Sequence, residues 1–173
     1  STTTMFPETA ERTPGTVHLI CGKLCSGKTR YAGKLQALTG AVRLSCDEIE
    51  YDLFHHELGE RYDAVAADIK RYLHKKAVEI ARAGCPVILD WGFWQRAERT
   101  AASAYYRSAG IPFEWHYVEV SDSDWQRNIA ARNAAVAAGE TTDYAIDAGL
   151  LEKMQSLFEP PAPEEHCIRY RSK

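Results

Sequence analysis

The feature that most restricts the fold is a glycine-rich stretch, GKLCSGKT, at residues 22–29. It follows a compact apolar run, Val17–Cys21, and it leads into a helical pattern from Lys28 to Leu38. The spacing GxxxxGK[ST] between a strand and a helix is that of a phosphate-binding loop, in which backbone N–H groups point inward at an anion. The sequence therefore predicts a strand–loop–helix unit that binds phosphate.

The residue types in this loop can each be explained by what phosphate binding requires. Glycine at both ends lets the backbone follow a tight path, and the positive N-terminal end of the helix favours an anion. The lysine would reach the β- and γ-phosphates of a nucleotide, and the threonine hydroxyl would bind Mg²⁺. The predicted residues for binding ATP and Mg²⁺ are Gly22, Lys23, Leu24, Cys25, Ser26, Gly27, Lys28 and Thr29, with Lys28 also catalytic. The alternative is a glycine-rich turn that binds nothing.

Short apolar runs alternate with longer helical patterns along the rest of the chain. Further strands are predicted at Val42–Cys46, Val87–Asp90, Phe113–Val120 and Cys167–Tyr170, and helices at 48–58, 63–83, 96–109, 122–138 and 146–158. Such alternation is typical of a parallel sheet covered on both faces. The predicted fold is α/β, a three-layer P-loop NTPase sandwich with a parallel, roughly five-stranded sheet. A single domain is expected over residues 17–173, with a short lid at about 132–147 and a flexible N-terminal arm at 1–16.

The composition of the chain argues against several classes of protein. No apolar run approaches the roughly 18 residues of a membrane span. The net charge of −3 argues against a nucleic-acid binder that depends on bulk positive charge. The five cysteines are an odd number without metal-ligand spacing, which indicates reduced thiols and a cytoplasmic location. Among phosphate-loop proteins, the absence of an NKxD string argues against a GTPase, and 173 residues is short for a large AAA machine.

Two carboxylates stand where predicted strands end. Asp47 follows the run VRLSC, and Asp90 ends the run VILD. Ligands of parallel α/β sheets bind at the carboxyl ends of the strands, so both side chains are expected to face the phosphate loop. Asp47 is predicted to be the general base that accepts the proton of an attacking hydroxyl. Asp90 is predicted to bind Mg²⁺, directly or through water, or to bind substrate. The alternative for each is a helix N-cap.

Two arginines, Arg127 and Arg132, are predicted to be catalytic residues in or just before the lid. An arginine that closes over the phosphates would neutralise the charge that phosphoryl transfer spreads over three oxygens. Positions five apart do not share one face of a continuous helix, so either the helix breaks or one arginine alone points at the phosphates. Arg132 is the preferred candidate. The alternative is a solvated helix face.

Aromatic residues follow both acids along the chain. Tyr51, Trp91 and Trp94 are predicted to contact the substrate, because an aromatic face beside a phosphate site can stack on a ring or a sugar. The alternative is that these side chains only pack the helices and loops around them.

In their order along the chain, GKLCSGKT, Asp47, VILDWGFW, WQRNIAARN and LLEKMQSLFEPP resemble the small P-loop kinases with an AAA-type ATP-binding domain. This group includes zeta toxins, chloramphenicol phosphotransferase and the kinase part of phage polynucleotide kinase. The resemblance spans most of residues 17–161. It implies ATP- and Mg²⁺-dependent phosphorylation of a hydroxyl, with Lys28 and Thr29 at the phosphates and metal, Asp47 as base, and Arg127 or Arg132 in the lid. It implies no particular substrate.

We therefore expect a phosphotransferase that moves the γ-phosphate of ATP to a hydroxyl of a small molecule, such as an antibiotic, a nucleoside or a sugar derivative. Two alternatives stay open. One is a toxin-like kinase of a nucleic-acid 5′ end or a nucleotide-sugar, and the other is a nucleotide-switched binding module without an acceptor. The mild negative charge ranks a small-molecule partner above nucleic acid.

Overall fold

The computed structural model describes residues 5–6 and 11–171. The strands are β1 (Val17–Cys21), β2 (Val42–Leu44), β3 (Val87–Gly92), β4 (Phe113–Glu119) and β5 (Cys167–Arg171). The α-helices are α1 (Lys28–Thr39), α2 (Cys46–Phe54), α3 (Tyr62–Arg82), α4 (Arg96–Ala109), α5 (Asp122–Ala137) and α6 (Ala148–Leu157). Short 3₁₀ turns lie at Gly59–Arg61 and Pro163–Glu165. Within the described residues, no helix combines the length and the apolar character needed to cross a membrane.

The five strands form one parallel sheet in the order β2-β3-β1-β4-β5. β1 is the central strand, and all of its residues are buried because helices cover both faces of the sheet. On one face, Leu19 lies in a core cluster with residues of α3 and α4, such as Ala77 and Tyr106. On the other face, Ile20 packs with Ala32 of α1. The predicted α/β P-loop NTPase fold is confirmed.

The structure differs from the sequence-based expectation at the second strand. β2 ends at Leu44 rather than Cys46, because Ser45 caps α2 by accepting a hydrogen bond from the Glu48 N–H at 3.2 Å. Asp47 therefore lies in the first turn of α2 and is not its N-cap. Helix α2 ends at Phe54, since His55 and His56 both take left-handed conformations with φ of 54° and 61°. Its predicted range of 48–58 was wrong at both ends.

Part of the predicted N-terminal arm, residues 1–4 and 7–10, lies outside the described residues. The described end of this arm, residues 11–16, contacts the last turn of α3. The Arg12 guanidinium donates to the Ala83 carbonyl at 3.2 Å, and the Gly15 N–H donates to the Ala81 carbonyl at 2.8 Å. These bonds hold the residues just before β1 against the domain.

The packing at Gly15 leads to a stability prediction. A Cβ at this position would lie 2.2 Å from the Cys85 carbonyl oxygen, a backbone atom that has little room to move. We expect Gly15→Ala to lower the free energy of unfolding by about 1–3 kcal/mol. Gly33→Ala is the matched control, because a Cβ on this α1 residue meets nothing within 4 Å and alanine favours helix. Urea denaturation measures both variants, and a Gly15→Ala protein as stable as wild type would contradict the packing.

Candidate functional site

The predicted phosphate loop connects the central strand β1 to α1. Its first residue is fixed to the neighbouring strand, because the Gly22 N–H donates to the Gly92 carbonyl at 3.0 Å. Cys25 and Gly27 have left-handed φ of 57° and 96°, which turns the chain tightly ahead of the helix. A Cβ on Gly22 would lie 2.7 Å from the Ser26 Oγ, so glycine is needed there. The backbone thus has the tight turn that a phosphate-binding loop requires.

The chemistry inside the loop fits an anion. The Ser26 Oγ is fully buried, and among the described residues it has no hydrogen-bond partner. The Lys28 Nζ donates to the Lys23 carbonyl of the same loop at 2.8 Å. Burial lowers the pKa of the Lys28 amine, although the Asp47 and Asp90 carboxylates oppose this effect. A buried amine beside an unpartnered hydroxyl at a helix N-terminus is a setting that a phosphate group would complete.

The two predicted carboxylates lie at the same end of the sheet as the loop. Asp47 and Asp90 line one cavity together with Lys28. Asp90 is part of β3 and so is not a helix cap; its carboxylate accepts a hydrogen bond from the Arg43 Nε at 2.7 Å and forms an ion pair with the Arg43 Nη2 at 2.5 Å. Burial raises the pKa of Asp90, and the Arg43 guanidinium opposes this shift. In contrast, the Asp47 carboxylate forms no hydrogen bond or ion pair within the described part of the chain.

The two predicted arginines point in different directions from an unbroken α5. The Arg132 Nε donates to the Tyr144 carbonyl at 3.1 Å, and its Nη1 lies 3.9 Å from the Cys25 Sγ of the phosphate loop. The Arg132 guanidinium also lies 4.5 Å from the centroid of the Tyr144 ring. Arg127 instead pairs with Asp124, and its side chain is 76% exposed. The structure therefore brings Arg132 to the loop and leaves Arg127 on the solvent side of the helix.

Helix α5 also holds the phosphate loop through two residues that sequence reasoning missed. The Trp125 Nε1 donates to the Leu24 carbonyl at 2.7 Å, and the Asn128 Nδ2 donates to the Cys25 carbonyl at 2.9 Å. Together with Arg132 they occupy positions i, i+3 and i+7 of α5, which share one helix face. That spacing is visible in the sequence and was the signal that could have identified them.

A cavity of about 830 Å³ opens beside the loop. It lies between α2, α3 and the strand ends, and it includes the predicted substrate residues Trp91 and Trp94. Tyr51 does not line it, contrary to the prediction; its ring packs beside His56 with their centroids 5.1 Å apart. Sequence reasoning missed several ionisable or hydroxyl-bearing residues of its wall, namely Glu50, His56, Tyr62, Asp63, Lys70, Glu98, Tyr144 and Lys153.

Most charged groups of the cavity wall are paired with one another. The Lys70 amine lies 3.7 Å from the Glu98 carboxylate, and the Lys153 amine lies 3.6 Å from the Asp63 carboxylate. The buried Glu50 carboxylate lies 2.7 Å from the His56 Nδ1. Within the described residues, these pairs and the one between Arg43 and Asp90 leave Lys28 and Asp47 as the charged groups of the wall without a counter-ion within 4 Å.

The segment between α5 and α6 falls within the predicted lid at 132–147. Its Thr142 carbonyl lies 2.9 Å from the His56 Nε2, so the segment is tied to the end of α2. Its Tyr144 lines the cavity, and burial raises the pKa of this phenol to about 12, with the Asp47 carboxylate acting in the same direction. The hydroxyl is therefore protonated at neutral pH. The predicted lid thus contacts His56 and contributes Tyr144 to the cavity wall.

Comparison with known proteins gives one family and a set of similar folds. A family model described as an AAA domain matches residues 17–161. Among the curated proteins, none matches this sequence.

Three solved structures show the extent of the likeness. A Chloroflexus aurantiacus protein proposed to be a kinase gives a TM-score of 0.70 at 20% identity, covering 91% of this chain and 88% of its own. The APS kinase CysC of Mycobacterium tuberculosis, in complex with AMPPNP and APS, gives 0.61 at 21% identity, covering 91% and 88%. A gluconokinase of Sinorhizobium meliloti gives 0.60 at 15% identity, covering 92% and 83%. At these identities the similarity is one of fold.

The environment of Lys28 leads to a binding prediction. We expect Lys28→Ala to weaken the affinity for Mg-ATP by about 10- to 100-fold, because hydrogen bonds from a charged donor contribute roughly 1.5–3 kcal/mol. Lys34→Ala is the matched control, since Lys34 is an exposed lysine of the same helix. Isothermal titration calorimetry measures both variants. Equal affinities for Lys28→Ala and wild type would show that this loop is not the nucleotide site.

Proposed function

The chain belongs to the AAA domain family, and we propose that it is a kinase that moves the γ-phosphate of ATP to a hydroxyl of a small molecule in the presence of Mg²⁺. One observation carries this proposal. The Asp47 carboxylate, which has no partner among the described residues, lines the same cavity as the part-buried Lys28 amine of the phosphate loop. A group that accepts a proton thus lies beside a group that binds transferable phosphate.

On the nucleotide side, residues 22–29 would hold the phosphates of ATP through backbone N–H groups, the Ser26 hydroxyl and the Lys28 amine. The Thr29 hydroxyl and the Asp90 carboxylate offer oxygen donors of the kind that Mg²⁺ prefers. When bound, Mg²⁺ would neutralise negative charge on the phosphate oxygens. The Arg43 guanidinium would keep the Asp90 carboxylate oriented, since its Nε donates a hydrogen bond to this group at 2.7 Å.

On the acceptor side, Asp47 would accept the proton of the substrate hydroxyl as its oxygen attacks the γ-phosphorus. A carboxylate without another partner is free to take this role, and general-base help of this type is typically worth about 10²–10⁴ in rate. Arg132 would contribute positive charge from α5, beside the loop, where charge develops during transfer.

The charges of the cavity support a neutral acceptor rather than an anionic one. Among the described residues of its wall, the Lys70 and Lys153 amines each have a carboxylate within 4 Å, so the positive charge that they present to the cavity is balanced locally. The indole rings of Trp91 and Trp94 offer apolar surface for the face of a sugar or a ring. We therefore favour a neutral polyhydroxy compound over a nucleic-acid end or a nucleotide-sugar.

The free state of all five cysteines supports the predicted cytoplasmic location.

The test of this function is a mass-shift screen with Mg-ATP and matched panels of neutral and anionic hydroxyl compounds. We expect the mass of one phosphate to be added to a member of the neutral panel. Asp47→Asn should slow that transfer by about 10²–10⁴ while the affinity for ATP is kept. Asp52→Asn is the matched control, because Asp52 is an exposed residue of the same helix α2. Transfer that is unaffected in Asp47→Asn would remove this residue from the base role.

The different orientations of the two arginines give a further prediction. Arg132→Ala should lower kcat more than it weakens the affinity for ATP, because the guanidinium lies at the loop where transition-state charge would develop. Arg127→Ala should leave both quantities close to wild type, since that side chain pairs with Asp124 in solvent. Steady-state kinetics of the two variants measures the difference. A larger loss in Arg127→Ala would contradict the assignment.

A further inference from the structure

A second group of ionisable side chains lies away from the phosphate loop, on the face of the sheet that α1 covers. His18 of β1 and Glu114 and His116 of β4 point to this face, since the parallel register pairs His18 with Glu114 and Ile20 with His116. His18 is 7% exposed and His116 is 3% exposed. Two nearly buried imidazoles and a carboxylate thus meet between neighbouring strands, where the core is otherwise apolar.

The donor atoms of these three residues converge. The His18 Nδ1 lies 2.9 Å from the His116 Nε2 and 3.7 Å from the Glu114 Oε2, and all three donors lie within 4.8 Å of one another. Nitrogen and oxygen ligands of a tetrahedral zinc ion lie about 2.0–2.2 Å from the metal and hence roughly 3.3 Å from each other. The 2.9 and 3.7 Å distances from the His18 Nδ1 each differ from that spacing by about 0.4 Å.

A residue of α1 fixes the orientation of one imidazole. The Tyr31 Oη lies 2.5 Å from the His116 Nδ1. With a proton on Nδ1 donated to this oxygen, the Nε2 lone pair of His116 points at His18. Metal-binding histidines usually have such a hydrogen bond on their second ring nitrogen, because it sets the tautomer and the ring orientation.

We propose that His18, Glu114 and His116 form a zinc site that links β1 to β4 beneath α1. The donors would be the His18 Nδ1, the His116 Nε2 and a Glu114 carboxylate oxygen, with the His18 proton on its Nε2. Imidazole donors favour Zn²⁺ over Mg²⁺, so this site differs in chemistry from the metal position at the phosphate loop. The Glu114 side chain is 42% exposed, which gives the ion a path from solvent and leaves a fourth position for water. The site would stabilise the centre of the sheet.

The first test uses the full chain, stripped of metal with a chelator, and Zn²⁺ alone as the probe. Zinc at about 100 times its Kd should raise Tm by roughly 5–10 °C for a chain of this size. Co²⁺ in its place should give the strong visible absorption of a four-coordinate site. A chain whose Tm does not respond to Zn²⁺ would overturn the proposal and leave a hydrogen-bonded histidine pair. A six-coordinate Co²⁺ spectrum would also overturn the proposal.

Single substitutions test which side chains bind the zinc ion. Glu114→Gln removes one ligand at a partly exposed position where folding should be retained, and it should weaken zinc affinity by about 10- to 100-fold or more. Tyr31→Phe removes the hydroxyl that orients His116 and should weaken zinc affinity about tenfold. His55→Asn is the control, since it replaces an exposed histidine outside the cluster. Zinc affinity that is unchanged in Glu114→Gln, or lost in His55→Asn, would place the ion elsewhere. The outcome is independent of kinase activity, which none of these measurements uses.

Discussion

The burial of β1 between β3 and β4 is the constraint on which the rest of the structure depends. Every residue of this strand is buried, and it pairs with both neighbours in parallel register. The phosphate loop begins where the strand ends, and the Gly22–Gly92 backbone hydrogen bond fixes that point to β3. Because parallel strands present their carboxyl ends at one edge, Asp90 and the first turn of α2 reach the same place as the loop.

Electrostatics then decides what this edge of the sheet is able to do. The Lys28 amine is held in a buried setting in which nearby carboxylates partly offset the cost of burying its charge. Most other charges of the cavity are paired, including Asp90 with Arg43 and Glu50 with His56. Asp47 is left without a partner among the described residues, and we therefore propose it, rather than the paired carboxylates, as the group that accepts the proton. Because these charges are paired, we favour a neutral acceptor over an anionic one.

The sequence was sufficient to predict the fold and the phosphate loop, because both depend on local patterns. Apolar runs that alternate with helical periodicity define a parallel sheet, and GxxxxGKT defines the turn between β1 and α1. The pairing of Arg43 with Asp90 joins residues 47 positions apart and has no local signature. The orientation of the two arginines depends on α5 being continuous, and Tyr51 packs against His56 rather than lining the cavity. The convergence of His18 and His116 depends on strand register, which the sequence pattern did not specify.

The central claim is that phosphate bound at the loop is passed to a hydroxyl in the adjoining cavity. The most direct measurement is ADP release by the wild-type protein with Mg-ATP, before and after a mixture of neutral polyhydroxy compounds is added. We expect slow ADP release from ATP alone, faster release with an acceptor, and one phosphorylated acceptor for each ADP formed. Slow release that no acceptor accelerates would contradict transfer to a hydroxyl and would identify a nucleotide-binding module instead.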